Sequence, residues 1–260
     1  MGDFSLRGVA VLTEGRSGSN WLGSLTNATG LMGRSEEWLD PAYLGFLPLS
    51  HDALERAVIE KGSTENGRFG IKLFPRHLRW SKEKFGKDFL FEVRAKHDLG
   101  FVLLERRNRI AQAISFYRAR MSGVWTSRHK GKAIQAAVPY SFSDISQAYF
   151  QIDRSYAFWR SYVQLLALDF RQFVYEDLQQ DPKPYLEAIA DFMGVPVPEN
   201  TSDSKFTIQR DSVTEEWMMR FREDAAAKGA IEAIEDMPVP RTLDNLARFA
   251  LKRPLARKRF

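Results

Sequence analysis

The sequence predicts an α/β fold of three layers with a mainly parallel central sheet. Two observations carry this. Short apolar runs closed by turn residues alternate along the chain with stretches whose apolar side chains recur at three and four residues. The first of those runs, Val9 to Leu12, breaks at once into a short polar loop with two glycines, and a helical pattern begins directly behind it. In folds of this class ligands lie at the carboxyl ends of the strands, so function is sought in the loops that follow the apolar runs.

The helix behind the first loop is read from Trp21, Leu22, Leu25 and Ala28, with Gly30 as a left-handed cap. Asp52 to Glu60 carries Leu54, Ala57 and Val58 on one face, Asp52 and Glu55 at capping-box spacing, and Gly62 to close it. Arg68 to Phe74 is a strand stopped by Pro75, and Phe101 to Leu104 is a fully apolar one. Ile110, Ala113, Ile114, Tyr117 and Met121 mark a helix ending near Gly123. A longer helix starts near Ser143, where Tyr149, Ile152, Tyr156, Trp159, Val163 and Leu166 alternate by three and four; the stripe is core or an oligomer seam. Phe170 to Tyr175 is a further strand, and Pro182 and Pro184 open a helix through Leu186, Ile189 and Met193 to Gly194. Ala225 to Ala233 is alanine-rich, and one helix or a flexible connection explains it equally well.

The loop Thr13-Glu14-Gly15-Arg16-Ser17-Gly18-Ser19-Asn20 lies at a helix N-terminus. Unpaired N–H groups and the positive end of the helix dipole favour an anion there, and small residues let it approach the backbone. The strand-loop-helix is P-loop-like without being a nucleoside-triphosphatase P-loop, which needs four residues between its glycines and then Lys-Ser or Lys-Thr. Gly15 and Gly18 are too close and no lysine follows. Arg16 is the side chain that faces the anion, a bidentate donor suited to phosphate or sulfate. An ordinary strand-to-helix turn is the alternative reading of the same loop.

A second set of donors follows the Phe101–Leu104 run. Arg106 ends that strand and Ser115 falls within the next helix, so both can face a second anion away from the one cradled by residues 16 to 20. Separately they read as a surface cation and a helix serine. Two anion sites at neighbouring strand ends suit a nucleotide with phosphates at both ends of its ribose. Glu36 and Glu37 lie just past the first helix, and a carboxylate returning to this sheet edge can act as a general base. The same pair also reads as acids starting a helix, where the dipole favours them.

Composition narrows the chemistry. The 260 residues, 44% hydrophobic, suffice for one domain with a sizeable core. No cysteine is present, which excludes disulfides and thiolate sites. The four histidines, at 51, 77, 97 and 129, lack the close helical pairing of a zinc motif, so no metal is expected. The net charge of +5 permits an anionic partner without naming it. No signal peptide or transmembrane span is legible, and a cytoplasmic location is the expectation. Lys252, Arg253, Arg257, Lys258 and Arg259 form a basic C-terminal group, read as a solvated tail in preference to a membrane-surface or nucleic-acid patch.

Five segments in this order carry a family resemblance: Gly15-Arg16-Ser17-Gly18-Ser19; Glu36-Glu37-Trp38; Gly70-Ile71-Lys72-Leu73; Arg106 through Gln112-Ala113-Ile114-Ser115-Phe116-Tyr117-Arg118-Ala119; and Gln209-Arg210-Asp211 through Glu216-Trp217. Together they resemble the bacterial carbohydrate sulfotransferases of the trehalose 2-sulfotransferase and lipopolysaccharide or nodulation-factor type, over roughly residues 8 to 225. The resemblance implies a sulfotransferase-type fold and transfer of a sulfuryl group from 3′-phosphoadenylyl sulfate (PAPS) to a carbohydrate or glycolipid hydroxyl, without a metal. Adenosine 3′,5′-bisphosphate is the implied product. It implies that Arg16, Ser17, Gly18, Ser19 and Asn20 hold the 5′-phosphosulfate and that Arg106 and Ser115 hold the 3′-phosphate, with Arg16 and the loop N–H groups expected to act in catalysis by stabilising charge on the bridging oxygen. Glu37 matches the family's base, Lys72 supports the active site or neutralises a carboxylate, and Gln209 and Arg210 belong to a segment closing over the nucleotide.

The chain departs from the pattern in three places. Glu14 sets a carboxylate in an anion loop, so its side chain must turn away or pair with a base. Ile208 stands where the family often has arginine, a loss that Arg210 can offset. Trp125 to Pro139, with Arg128, His129, Lys130 and Lys132, has no clear counterpart. The expected organisation is a sulfotransferase domain over 1–225 and a basic extension over 226–260, in a homodimer like dimer-forming relatives. The rival readings are an atypical nucleotide kinase, disfavoured by the missing lysine, and a basic nucleic-acid-binding protein.

Overall fold

In the computed structural model of the chain, residues 6–125, 138–197 and 212–235 are described. In order they form β1 (Arg7–Leu12), α1 (Ser19–Ala28), α2 (Pro41–Leu44), α3 (His51–Gly62), β2 (Arg68–Leu73), α4 (Pro75–Phe85), α5 (Phe89–Arg94) and β3 (Asp98–Glu105). There follow α6 (Arg109–Ser122), α7 (Phe142–Leu165), β4 (Phe170–Val174), α8 (Tyr175–Leu178), α9 (Lys183–Met193), α10 (Ser212–Lys228) and α11 (Ile231–Glu235).

The described strands make one parallel sheet in the order β2-β1-β3-β4. Its register sets Val11 beside Lys72 on one side and Val102 on the other. Side chains alternate between the faces, so each strand feeds two cores. Ala10, Leu12, Ile71 and Leu103 pack with Leu54, Val58, Leu90, Val93 and Trp159 from α3, α5 and α7. On the opposite face Val9, Val11, Val102 and Leu104 meet Leu22 and Leu25 of α1 and Leu186 and Ile189 of α9. This is the predicted three-layer α/β arrangement. A third cluster joins Ala113, Phe116 and Tyr117 of α6 to Ile152 and Tyr156 of α7 and Trp217 and Phe221 of α10.

Most boundaries fall where periodicity set them. The α3 helix is capped one residue earlier in the chain than its first helical residue, by Ser50, whose side chain accepts from the Ala53 N–H, while Asp52 sits in the first turn. Residues 75–94 carry two helices that the apolar pattern did not mark. Glu36 and Glu37 do not start a helix: Glu36 forms a bridge with Ile71, its carbonyl accepting from the Lys72 N–H at 2.9 Å. Gly33, at φ 68°, allows this close approach, since a Cβ there would lie 2.4 Å from the Gly70 nitrogen. The chain after α1 is thereby laid along the β2 edge, and both glutamates reach the carboxyl end of the sheet. Within the α7 stripe, Ile152, Tyr156 and Trp159 are fully buried, so these positions serve the core. The α10 helix continues through residue 225 to Lys228, and 236–260 lie outside the described residues.

Candidate active site

The loop after β1 is held by its carbonyls. Trp159 Nε1 of α7 donates to the Thr13 carbonyl at 2.8 Å, Gln112 Nε2 of α6 donates to that of Gly15 at 2.9 Å, and an Arg106 terminal nitrogen donates to that of Arg16 at 3.1 Å. Across a planar trans peptide the carbonyl and the next N–H point in opposite directions. Drawing the Gly15 and Arg16 carbonyls back toward α6 and β3 therefore turns the N–H groups of Arg16 and Ser17 the other way. The first N–H groups of α1 lie just beyond them, at a helix N-terminus that favours an anion. Gly18 at φ 89° makes the turn into the helix, and a Cβ there would lie 2.1 Å from the Tyr175 ring. Arg16 itself adopts φ 64°.

That backbone turn sends the Arg16 side chain away from the loop's own anion face. Its Nε donates to the Ser115 hydroxyl at 2.8 Å, and a terminal nitrogen donates to the Trp125 carbonyl. The guanidinium expected over the loop thus stands with Ser115, and Arg106 joins the same group through the Arg16 carbonyl. The two predicted anion sites adjoin, linked by one residue. Burial and the nearby Arg106 and Arg118 pull the Arg16 guanidinium below its ordinary range, the mark of crowded positive charge that an anion relieves. Glu176 lies 3.7 Å from Arg106 and Tyr175 packs under its guanidinium at 5.3 Å.

Glu14 resolves as its position required. Its Oε1 accepts from the Gly15 N–H at 2.8 Å and lies 3.6 Å from Arg76, so the acid turns back on the chain and pairs with a base. Lys72, 1% exposed, projects from β2 on the α1 face. Its ammonium bonds to Asn20 Oδ1 at the start of α1 and lies 3.3 Å from Glu37 and 3.6 Å from Glu36. A buried ammonium needs such company, because removing it from water unpaired is costly. Arg76 of α4 holds the other oxygen of Glu37 at 3.2 Å and stands 3.9 Å from Asp40.

Glu37, Asp40 and His77 bring ligand-type atoms within 4.8 Å of one another. They do not suit a divalent cation. His77 Nδ1 accepts the Phe74 N–H at 3.2 Å, which puts the proton of the neutral ring on Nε2, and the Arg76 guanidinium already serves both acids.

Arg16 to Asn20, Lys72, Glu37, Arg106 and Ser115 are thus brought to one end of the sheet. Gln209, Arg210 and Ile208, with Arg128, His129, Lys130 and Lys132, lie outside the described residues. Sequence reasoning missed Arg76, His77, Trp159 and the role of Gln112. Gln112 carried a signal, since it sat inside a motif segment and is a fully buried polar residue whose amide bridges Gly15 and Tyr156.

A loop leading into a helix N-terminus at the carboxyl end of a parallel sheet, with a carboxylate and a lysine beside it, lies where open α/β sheets bind their ligands. The family described as Stf0 sulphotransferase matches residues 48–224, and the chain belongs to it. The match takes in Lys72, Arg106 and Ser115 and begins after the loop and Glu37. Two solved structures align along nearly their whole length. The sulfotransferase domain from the curacin biosynthetic pathway is 14% identical, covering 96% of this chain and 98% of that one, with a TM-score of 0.46. The sulfotransferase domain from the Synechococcus PCC 7002 olefin synthase is 17% identical, covering 98% of each, with a TM-score of 0.41. No curated protein matches significantly. Among the described residues no helix is long and apolar enough to cross a membrane.

Proposed function

We propose that this sulfotransferase uses PAPS as donor and a hydroxyl of a carbohydrate or glycolipid as acceptor, with Glu37 as base. One observation carries the reading: the Lys72 ammonium touches both Asn20 of the cradle and the Glu37 carboxylate, so the anion site and the base form one connected site.

The loop N–H groups of residues 16 to 20 receive the 5′-phosphosulfate. The Arg16 guanidinium, Ser115 and Arg106 receive the 3′-phosphate, a change from the 5′-phosphosulfate role expected of that guanidinium and one that its contact with Ser115 supports. The acceptor oxygen attacks sulfur in line, its proton passes to Glu37, and the bond from sulfur to the bridging oxygen of the 5′-phosphate breaks. A sulfate ester and adenosine 3′,5′-bisphosphate leave. Sulfuryl transfer resembles phosphoryl transfer in asking the protein mainly for positioning and charge stabilisation. Lys72 is placed to stabilise charge on the bridging oxygen while holding Glu37. Glu36, Glu37 and Asp40 supply hydrogen-bond acceptors suited to a polyhydroxyl partner.

Calorimetric titration with adenosine 3′,5′-bisphosphate against ATP tests the donor, followed by a screen of acceptors with labelled PAPS. Selective binding of the bisphosphate and label transfer to a sugar hydroxyl are expected. Preference for magnesium-ATP, or nucleic-acid binding untouched by the bisphosphate, overturns the reading.

A further inference from the structure

Val174 of β4 pairs with Glu105 of β3, so the two strands end side by side, and the residues that follow, Arg106 after one and Tyr175-Glu176-Asp177 after the other, leave the sheet together. Buried Tyr175 touches both parts of the donor site: its ring fills the space beside Gly18 of the β1 loop, and the Arg106 guanidinium lies over it at 5.3 Å. The next side chain works as a fork. Glu176 Oε2 accepts from the Arg107 N–H at 2.7 Å, Oε1 accepts from the Asn108 N–H at 2.9 Å, and Oε1 also stands 3.7 Å from Arg106 Nε. Those two amides lead into α6, whose N-cap is Asn108. One half-buried carboxylate thus pins the backbone just after Arg106 and faces the Nε edge of its guanidinium, while the Arg16 carbonyl accepts from a terminal nitrogen.

We infer that Glu176 is a positioning residue for the 3′-phosphate: it fixes the β3–α6 turn and the Nε edge of Arg106, so that the guanidinium meets the phosphate beside Arg16 and Ser115. The inference rests on the reading that Arg106 holds the 3′-phosphate. Arginine grips phosphate through a planar fork, so its affinity depends on how that plane is turned. Holding the plane in advance also spares the entropy of ordering a long side chain on binding. Charge alone works in the opposite direction. A carboxylate this close to an anion site repels phosphate, and removing it without any loss of aim would tighten binding. The sign of the change therefore separates positioning from simple electrostatics.

Titration with adenosine 3′,5′-bisphosphate and with adenosine 5′-monophosphate, which lacks only the 3′-phosphate, reads the effect as a ratio of Kd values. Glu176→Ala is expected to weaken the bisphosphate about tenfold and to leave the monophosphate unchanged. Glu176→Gln keeps one acceptor oxygen and is expected to lose about threefold in the same selective way, which serves if the alanine variant does not fold. Asp177→Ala cuts only the exposed pair to the Arg107 side chain, at 2.7 and 2.8 Å, and is expected to change neither affinity. Unchanged or tighter bisphosphate binding in the Glu176 variants overturns the proposal. So does an equal loss for both nucleotides, or the same selective loss in Asp177→Ala. Arg106→Ala measured alongside keeps the two readings apart. If it leaves the ratio as in the wild type, the 3′-phosphate assignment fails; if it abolishes the preference for the bisphosphate while the Glu176 variants retain it in full, only the inference about Glu176 falls.

Discussion

Arg16 Nε donates to the hydroxyl of Ser115 at 2.8 Å, joining a residue of the β1 loop to one 99 positions later on α6. On the proposed reading the bond gives residue 16 two tasks, its backbone in the 5′-phosphosulfate loop and its guanidinium at the 3′-phosphate site. Arg16→Ala is expected to weaken adenosine 3′,5′-bisphosphate about 10- to 100-fold, the loss of a charge-assisted hydrogen bond to phosphate. Ser115→Ala is expected to cost less. Calorimetry checks both, and an unchanged Kd for Arg16→Ala refutes the placement.

Glu37→Gln removes the proton acceptor and keeps the shape. A fall in kcat of about 10²–10⁴-fold with little change in bisphosphate affinity is expected, as for loss of a general base. A parallel loss of nucleotide affinity would mean that Glu37 serves the donor rather than the acceptor.

Gln112→Leu releases the Gly15 carbonyl and strips Tyr156 of its amide partner. A stability loss of about 1–3 kcal/mol is expected from the orphaned buried groups. Affinity for the bisphosphate should fall as well, because the loop N–H groups lose their fixed aim. Thermal melts with and without nucleotide separate the two effects.

Gly18→Ala and Gly30→Ala form a matched pair. Both sites have positive φ, and nothing lies within 4 Å of a Cβ at Gly30, whereas at Gly18 it meets Tyr175. The Gly30 variant is expected to lose about 1–2 kcal/mol of stability, from backbone strain alone. The Gly18 variant is expected to lose more and to bind nucleotide poorly, and equal melting temperatures for the two would contradict the packing.

Acid should destabilise the protein through His77. Once unfolded, the ring takes up a proton below its ordinary value of 6.5, while the folded ring stays neutral to well below that. The unfolded state then binds more protons, so stability falls as pH drops below 6.5, by up to about 1.4 kcal/mol per pH unit until the folded value is reached. Melting temperatures from pH 7 to 5 should show this slope, and it should lessen in His77→Asn, the remainder coming from His51 and His97, which burial also lowers.

The β1 loop and its helix were legible because the pattern changes there from a strand run to a helical one around two glycines, a strictly local signal. The β3–α6 pair, α7 and α9 were legible for the same reason, with Gly123 and Gly194 capping α6 and α9 as read. The α4 helix was not. Its inward residues include His77 and Ser81, so it lacks the apolar stripe that marks a helix in sequence. The site shows the same limit. Arg16, Glu37, Lys72, Arg106 and Ser115 were found as residue types in motifs, but where Arg16 points depends on a positive φ that its sequence neighbours do not declare. The carbonyl anchors span 97 residues from Gln112 to Gly15 and 146 from Trp159 to Thr13, contacts that only the folded sheet brings together.

Strand order gives the enzyme two independently adjustable halves. The proposed nucleotide site draws on β1, β3 and α6 at the middle of the sheet, while Glu37, Asp40, Arg76 and His77 lie along the β2 border. Lys72 and Asn20 fasten one half to the other. On the proposed reading, substitutions along that border retune which alcohol is sulfated while the central donor site stays as it is, so a lineage of such enzymes diversifies its products without rebuilding its handling of activated sulfate.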